Sequence, residues 1–249
     1  MSGWTETDSS TYCDIADVAV PRRAEMMDRI ITAVPFARAE AFRIVEIGCG
    51  DGRLAASLLE TFPQATITAF DGSDAMRERA AARLATFGRR ARVRPFKLET
   101  LDWWDQMFGV DLVVSSLCLH HLNDAKKQYL YKAVSDRSSA RGALVIADLV
   151  EPAHESARRA AADAWDAAAD DQAAALGRPD LAARFRDVHW NHFRFPDPAD
   201  RPSPIFHHLV WLRHAGFGAV DCLWLFAGHA VFAGFKQRPA SELPPPADS

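Results

Sequence analysis

The stretch Val45-Glu46-Ile47-Gly48-Cys49-Gly50-Asp51-Gly52-Arg53-Leu54 constrains this chain more than any other. An apolar run from Ile44 to Ile47, interrupted only by Glu46, leads into three glycines at alternate positions. Leu54, Ala55, Leu58 and Leu59 then recur at helical spacing. The pattern predicts a strand, a tight turn and a helix. Glycine tolerates positive φ and lets the backbone approach a ligand closely. Such a turn delivers a ligand to a helix N-terminus. A turn with no ligand would have the same shape, so the chemistry must be read from the residues around it.

The spacing is not the dinucleotide fingerprint, which needs its third glycine three residues after the second. That place is Arg53. The charges differ too. A pyrophosphate favours a helix N-terminus free of carboxylates, yet Glu46 and Asp51 flank this turn. Carboxylates suit a cation. At this point the E-x-G-x-G-x-G stretch resembles the first motif of the class I methyltransferases that use S-adenosylmethionine (SAM). SAM carries an ammonium and a sulfonium and no phosphate. The resemblance implies that Glu46, Gly48, Cys49 and Gly50 hold this cofactor.

Ala65 to Phe70 reads as a buried strand ending at Asp71. Asp71 lies 19 residues beyond Gly52, about where an acidic residue holds ribose hydroxyls. Helix capping by Asp71 or Ser73 accounts for one residue but not for that spacing. The resemblance runs from about Arg43 to Lys236 and implies that Gly72, Ser73 and Met76 line the adenosine. Asp74 to Leu84 reads as a helix and Arg92 to Phe96 as a third strand. The family usually places an acidic residue directly after that strand to hold the adenine amino group. This chain departs from the pattern, with Lys97 and Leu98 first and Glu99 and Thr100 next. Glu99 or the backbone then takes that role. Val110 to Leu122 is similar to the family's fourth-strand motif, with its D-L-V-x-S and H-H-L elements. The likeness implies that Ser115, Ser116 and Leu117 line the methionine end of the cofactor.

A methyl on a sulfonium is already electrophilic, so a base is needed only when the nucleophile carries a proton. Candidates are His121 and His120, then His189, His192 and Asp148. For any single histidine a structural role is the commoner one. Gly142 to Leu149 reads as a fifth strand, after which an alanine-rich helical stretch leads to His189, Trp190, His192, Phe193 and Phe195. Insertions at this place in the family form a cap over the substrate. His189, Trp190 and His192 are thus substrate candidates, joined by Tyr12 from the N-terminal segment. Arg22 or Arg23 would help that segment close over the cofactor. The first ten residues read as disordered. Met26, Met27, Ile30, Ile31 and Val34 form a helical stripe. Ile205 to His214 reads as a helix, and Val220–Phe226 and His229–Phe235 as a hairpin joined by Ala227-Gly228.

The fold expected is therefore α/β, a seven-stranded mostly parallel sheet with helices on both faces and an antiparallel C-terminal hairpin. The expected division is an N-terminal segment at 1–35, a SAM-binding core at 36–150 and a helical cap insertion at 151–204. A helix and hairpin at 205–238 complete the core, and 239–249 form a tail. The chain's 249 residues suffice for one large domain with a small addition. Its net charge of −4 implies no general affinity for nucleic acid or anionic membrane. Cys13, Cys49, Cys118 and Cys222 form no C-x-x-C pair. That spacing argues against a disulfide framework or a metal site and fits a reducing cytoplasm. No apolar run approaches the ~20 residues of a membrane span, and the polar N-terminus does not resemble a signal peptide.

The expected function is methyl transfer to a small-molecule O or N acceptor, with a homodimer left open. Two other functions remain. Leu209 to Lys236 is similar to enzymes that handle carboxy-SAM in tRNA wobble-uridine modification. The basic cluster Arg89, Arg90, Arg92, Arg94 and Lys97 is short for an RNA surface and reads as a solvated face. A non-catalytic SAM-binding regulator is the third.

Overall fold

A computed structural model describes residues 6–98, 100 and 103–236. Seven strands form one sheet: β1 (Arg43–Ile47), β2 (Thr66–Asp71), β3 (Ala91–Pro95), β4 (Leu112–Ser116), β5 (Ala143–Leu149), β6 (Ala219–Phe226) and β7 (His229–Phe235). Their order is β3-β2-β1-β4-β5-β7-β6. The first five are parallel. β7 runs antiparallel to β5, and β6 antiparallel to β7. The mostly parallel sheet with an antiparallel C-terminal hairpin is thus the one its sequence predicts. β5 is buried along its whole length, as parallel strands covered on both faces must be. β3 is an edge strand, and Arg92 and Arg94 on it are exposed.

Helices cover both faces. On one lie α1 (Glu6–Ala19), α2 (Arg23–Thr32), α3 (Arg53–Thr61), α4 (Asp74–Leu84), α6 (Glu155–Ala175) and α7 (Pro179–Asp187). Their apolar sides meet Ile44, Ile67, Leu112 and Val145. On the other face α5 (Asp124–Arg137) and α8 (Ile205–Ala215) pack on Val45, Val113, Leu144 and Phe232. Asn123 caps α5 by accepting the Lys126 N–H at 2.9 Å, and Gly216 ends α8 in the left-handed region.

The N-terminus is more ordered than its sequence predicts. Residues 6–10, expected to be disordered, are the first turns of α1. Their order comes from a distant contact. Glu6 accepts the Ser73 hydroxyl at 2.8 Å and the Asp74 N–H at 2.9 Å, and so supplements the cap of α4. The other end of α1 is tied to α6. Trp165 donates its indole N–H to Ala19 O at 3.1 Å, and the Gln172 amide reaches Asp17 O and Val20 O.

The strand order reverses between β1 and β4. In an open α/β sheet the crevice beyond the carboxyl ends of the strands at such a point is where ligands bind. The glycine turn follows β1 and the histidine pair follows β4, so the topology brings them to the same end of the sheet.

Two buried histidines make stability sensitive to acid. His208 exchanges a 2.7 Å hydrogen bond with Tyr131, and its pKa is pushed down to about 4 by burial and then by Lys127, against Asp148 and Asp124. His229 is also lowered to about 4 by burial. A histidine with a depressed folded pKa binds its proton less well folded than unfolded. Stability therefore falls as pH drops from about 6.5, the unfolded value, toward the folded value. His208→Gln should shrink the loss of unfolding free energy between pH 7 and pH 5 by about 2 kcal/mol, read from urea melts at the two pH values. An identical pH dependence in wild type and variant would contradict this.

Candidate active site

The glycine turn is built by its own backbone and by Asp71. Gly48, Gly50 and Gly52 all have positive φ, at 71°, 53° and 79°. Cys49 N–H donates to Phe70 O at 2.8 Å, which joins the turn to β2. Asp71 Oδ2 accepts the Gly50 N–H at 2.7 Å, and its Oδ1 accepts the Ser73 N–H at 2.9 Å. Burial raises the Asp71 carboxyl above its usual range, and these two N–H donors oppose the shift. Each oxygen keeps a second lone pair.

Glu46 is 1% exposed, and its Oε2 has no hydrogen-bond partner. Burial, then Asp71 and Asp51, push its carboxyl well up. A bound cation would restore the ionised form. The other carboxylate of the sequence argument behaves differently. Asp51 is paired with Arg53 at 2.9 Å and with Arg83 at 2.8 Å. The demand for a cation at this turn therefore rests on Glu46.

Ser73 caps α4, its Oγ accepting the Met76 N–H at 3.2 Å, and Met76 is buried. Gly72 is exposed. Ser115 is buried, with its hydroxyl donating to Ile47 O at 2.9 Å. Ser116 and Leu117 are half-buried at the end of β4. Leu117 has a φ of 55°, uncommon for a non-glycine residue and typical of functional sites. Thr100 is exposed and bonds Lys97 O at 3.1 Å. Glu99 lies outside the described residues.

Beyond β4 the chain gathers the candidates His120, His121, His192 and Asp148 around one acid that the sequence did not single out, Asp200. His120 Nδ1 and Asp148 Oδ1 are 2.5 Å apart, Asp148 coming from β5. His121 Nδ1 lies 3.1 Å from Asp200 Oδ1, and His120 Nε2 lies 3.6 Å from the same oxygen. His192 Nδ1 is 3.4 Å from Asp200 Oδ2. Burial acts to lower His120, but Asp148 and Asp200 outweigh it and raise its pKa. Burial acts to raise Asp148, but His120 holds it below the ordinary value. Asp200, which burial would also raise, is held well below the carboxylate range by His121, His192 and His120.

Asp200 is held from both sides. Arg201 N–H donates to His120 O at 2.7 Å. The buried Lys127 ammonium donates to Arg201 O and to Ser203 Oγ, the latter at 2.6 Å. Val150 and Ser203 form a short parallel bridge. Asp200 and Lys127 escaped sequence reasoning, since one lies in a Pro-rich loop and the other in an ordinary helical pattern.

Tyr12 and Trp190 approach ring to ring at 5.9 Å, and Arg23 lies over Tyr12 at 5.4 Å. Arg22 lies over Phe226 at 3.9 Å instead. His189 is exposed, with a φ of 53°, and stacks on Phe195 at 4.1 Å. Buried Asn191 fixes this loop, donating to Ala162 O at 2.9 Å and Asp166 at 2.6 Å and accepting Phe193 N–H at 3.1 Å.

Comparison with known proteins bears on this geometry. Residues 45–144 match the methyltransferase domain family. An O-methyltransferase family protein from Burkholderia thailandensis shares the fold at a TM-score of 0.62 and 18% identity, over 85% of this chain and 55% of that one. The fold is that of the class I methyltransferases. The chain is 31% identical over 121 residues to malonyl-[acyl-carrier protein] O-methyltransferase of a Paenibacillus species, covering 48% of this chain and 44% of the relative. It is 28% identical over 194 residues to trans-aconitate 2-methyltransferase of Methylobacterium radiotolerans, covering 76% and 68%. The chain thus spans about half the length of the first relatives it matches. The match to a methyltransferase domain, together with the fold, implies SAM as cofactor. The orphaned Glu46 oxygen and the two spare Asp71 lone pairs fit its ammonium and its ribose hydroxyls. No helix among the described residues is long and apolar enough to cross a membrane.

The glycines separate folding from ligand access. A Cβ on Gly48 would lie 2.5 Å from Cys118 Cβ, whereas one on Gly50 would meet nothing within 4 Å. Gly50→Ala should cost about 1–2 kcal/mol of stability for the left-handed backbone alone. Gly48→Ala should add about 1–3 kcal/mol of overpacking to that. Denaturant melts check the ranking, and equal losses would contradict it.

Proposed function

We propose that this protein is a SAM-dependent methyltransferase acting on an oxygen or nitrogen of a small-molecule acceptor. The observation that carries the reading is the buried Glu46 carboxylate, unpartnered at Oε2 beside a glycine turn braced by Asp71. Glu46 would hold the cofactor's ammonium, Asp71 its ribose, and the Gly50 backbone would leave room for its approach. Gly48, Cys49, Gly72, Ser73 and Met76 shape the turns around it, and Ser115, Ser116 and Leu117 close the methionine end. When bound, SAM supplies a methyl group on an electrophilic sulfonium. The chain's own task is then to align the acceptor, exclude water and accept a proton where the nucleophile carries one.

That proton falls to the cluster of His120, His121 and Asp200, whose two histidines follow β4 at the same end of the sheet. Trp190 and Tyr12 contribute an apolar wall, and His189 and His192 flank it. The relative named for trans-aconitate supports a small acceptor. Among the described residues the basic cluster of Arg89, Arg90, Arg92, Arg94 and Lys97 beside the edge strand is short, which weighs against transfer to tRNA.

Calorimetry should show SAM and its demethylated product binding and NAD not binding. Asp71→Ala removes hydrogen bonds worth about 1.5–3 kcal/mol, so SAM affinity should fall roughly tenfold to a hundredfold. Gly50→Ala should fold yet bind SAM poorly. Trp190→Ala should impair turnover while SAM affinity stays within about threefold. Assays with methyl-labelled SAM should place the label in small acids, phenols or amines. NAD binding more tightly than SAM would overturn the cofactor assignment, and label appearing only in tRNA would overturn the acceptor class.

A further inference from the structure

We propose that His120 Nε2, His121 Nδ1 and Asp200 form a binding site for a divalent first-row transition metal ion, with His192 Nδ1 as a further donor. The donor atoms of His120, His121 and Asp200 all lie within 4.8 Å of one another. The separations from the Asp200 oxygens are 3.1 Å to His121, 3.4 Å to His192 and 3.6 Å to His120. Metal–nitrogen and metal–oxygen bonds of about 2.0–2.2 Å give tetrahedral ligand–ligand edges of roughly 3.3–3.6 Å. The observed separations bracket that range. They are long for charge-assisted hydrogen bonds, which run at about 2.7–2.9 Å.

His192 adds an independent observation. It is 7% exposed, and its Nδ1 makes no hydrogen bond although Asp200 Oδ2 is 3.4 Å away. A buried imidazole nitrogen in that condition calls for a partner such as an ion. The second layer fits as well. Asp148 takes the Nδ1–H of His120 at 2.5 Å, which fixes the tautomer and leaves Nε2 as the free lone pair. A carboxylate behind the histidine is the usual support of a metal-bound imidazole. Lys127 bonds Arg201 O and Ser203 Oγ, and the Arg201 N–H bonds His120 O, so the Asp200 loop is held against the pair. A nitrogen-rich donor set with one carboxylate selects zinc-like ions over magnesium or calcium.

Binding follows from this geometry alone. Its role rests on the proposed methyl transfer. An ion here would draw the proton from an acceptor hydroxyl by lowering its pKa. The ion would occupy the lone pairs that take the proton in its absence, so the proton would leave to solvent as the new carbon–oxygen bond forms and the carbon–sulfur bond breaks. The site would thus favour oxygen acceptors.

The test uses the full chain, stripped with a chelator and dialysed against Zn2+, with metal content measured afterwards. One equivalent should remain, the melting temperature should rise, and Co2+ should give the visible absorption of a four-coordinate site. His121→Ala and Asp200→Ala should each weaken Zn2+ binding at least a hundredfold while SAM affinity stays within threefold. If Asp200→Ala fails to fold by circular dichroism, His121→Ala and His192→Ala carry the test. His189→Ala, at an exposed histidine, should retain the full equivalent. Less than stoichiometric metal in wild type, or unchanged affinity in the cluster variants, would overturn the proposal. So would an equal loss in His189→Ala. Because SAM binding is measured alongside, loss of the metal site and loss of the methyltransferase reading give different results.

Discussion

The Asp71 carboxylate joins the glycine turn to α4 and, through Ser73, to α1. One oxygen accepts the Gly50 N–H of the turn after β1, and the other accepts the Ser73 N–H at the start of α4. Ser73 in turn caps α4 and donates to Glu6, which anchors α1. A buried carboxylate is costly unless hydrogen-bonded. Here the bonds that offset its burial also set the shape of the turn and the place of the N-terminal helix. Parallel pairing of β1 with β2 carries the same register, from Arg43 against Thr66 to Ile47 against Phe70. The glycine turn is a consequence of local chain geometry closed by one acid.

The histidine cluster depends on long-range contacts. His120 and His121 follow β4, Asp148 lies on β5, and His192 and Asp200 come from the segment before α8. Lys127 on α5 gathers these pieces by donating to a carbonyl and a hydroxyl of the 200–203 loop. A fully buried lysine would ordinarily lose its proton. Burial does lower its pKa, with Asp148 and Asp124 opposing the shift. The positive charge sits among carboxylates that need it, which makes the lysine a structural counterion as well as a clamp.

The helices added to the sheet are tied in pairs. α1 is fixed to α6 through Trp165 and Gln172, and Asn191 fixes the 189–193 loop to α6. The ring of Tyr12 meets Trp190 across these joints. Segments far apart in the chain are therefore packed together, α1 meeting the 189–193 loop through Tyr12 and Trp190.

By itself the sequence determined the strands, the glycine turn and the C-terminal hairpin. Strand and turn signals act over a few residues, so the glycine turn, Asp71, the β4 run and the C-terminal hairpin were legible one by one. Period-2 and helical patterns also place Asp74–Leu84 and Ile205–His214 with their ends nearly right. The helical start of α1 was not legible, because Glu6 is ordered by Ser73 and Asp74, on average some seventy residues away. The four scattered cysteines offered no metal pattern, and none of the spacings among His120, His192 and Asp200 resembles one. Only packing of the 200–203 loop on Lys127 brings their donor atoms together. Tertiary structure also decided that Asp51 is neutralised by Arg53 and Arg83 while the Glu46 oxygen is left unpaired. Local pattern records the propensity of neighbours. The charge balance of a buried group is set by whatever the fold places around it.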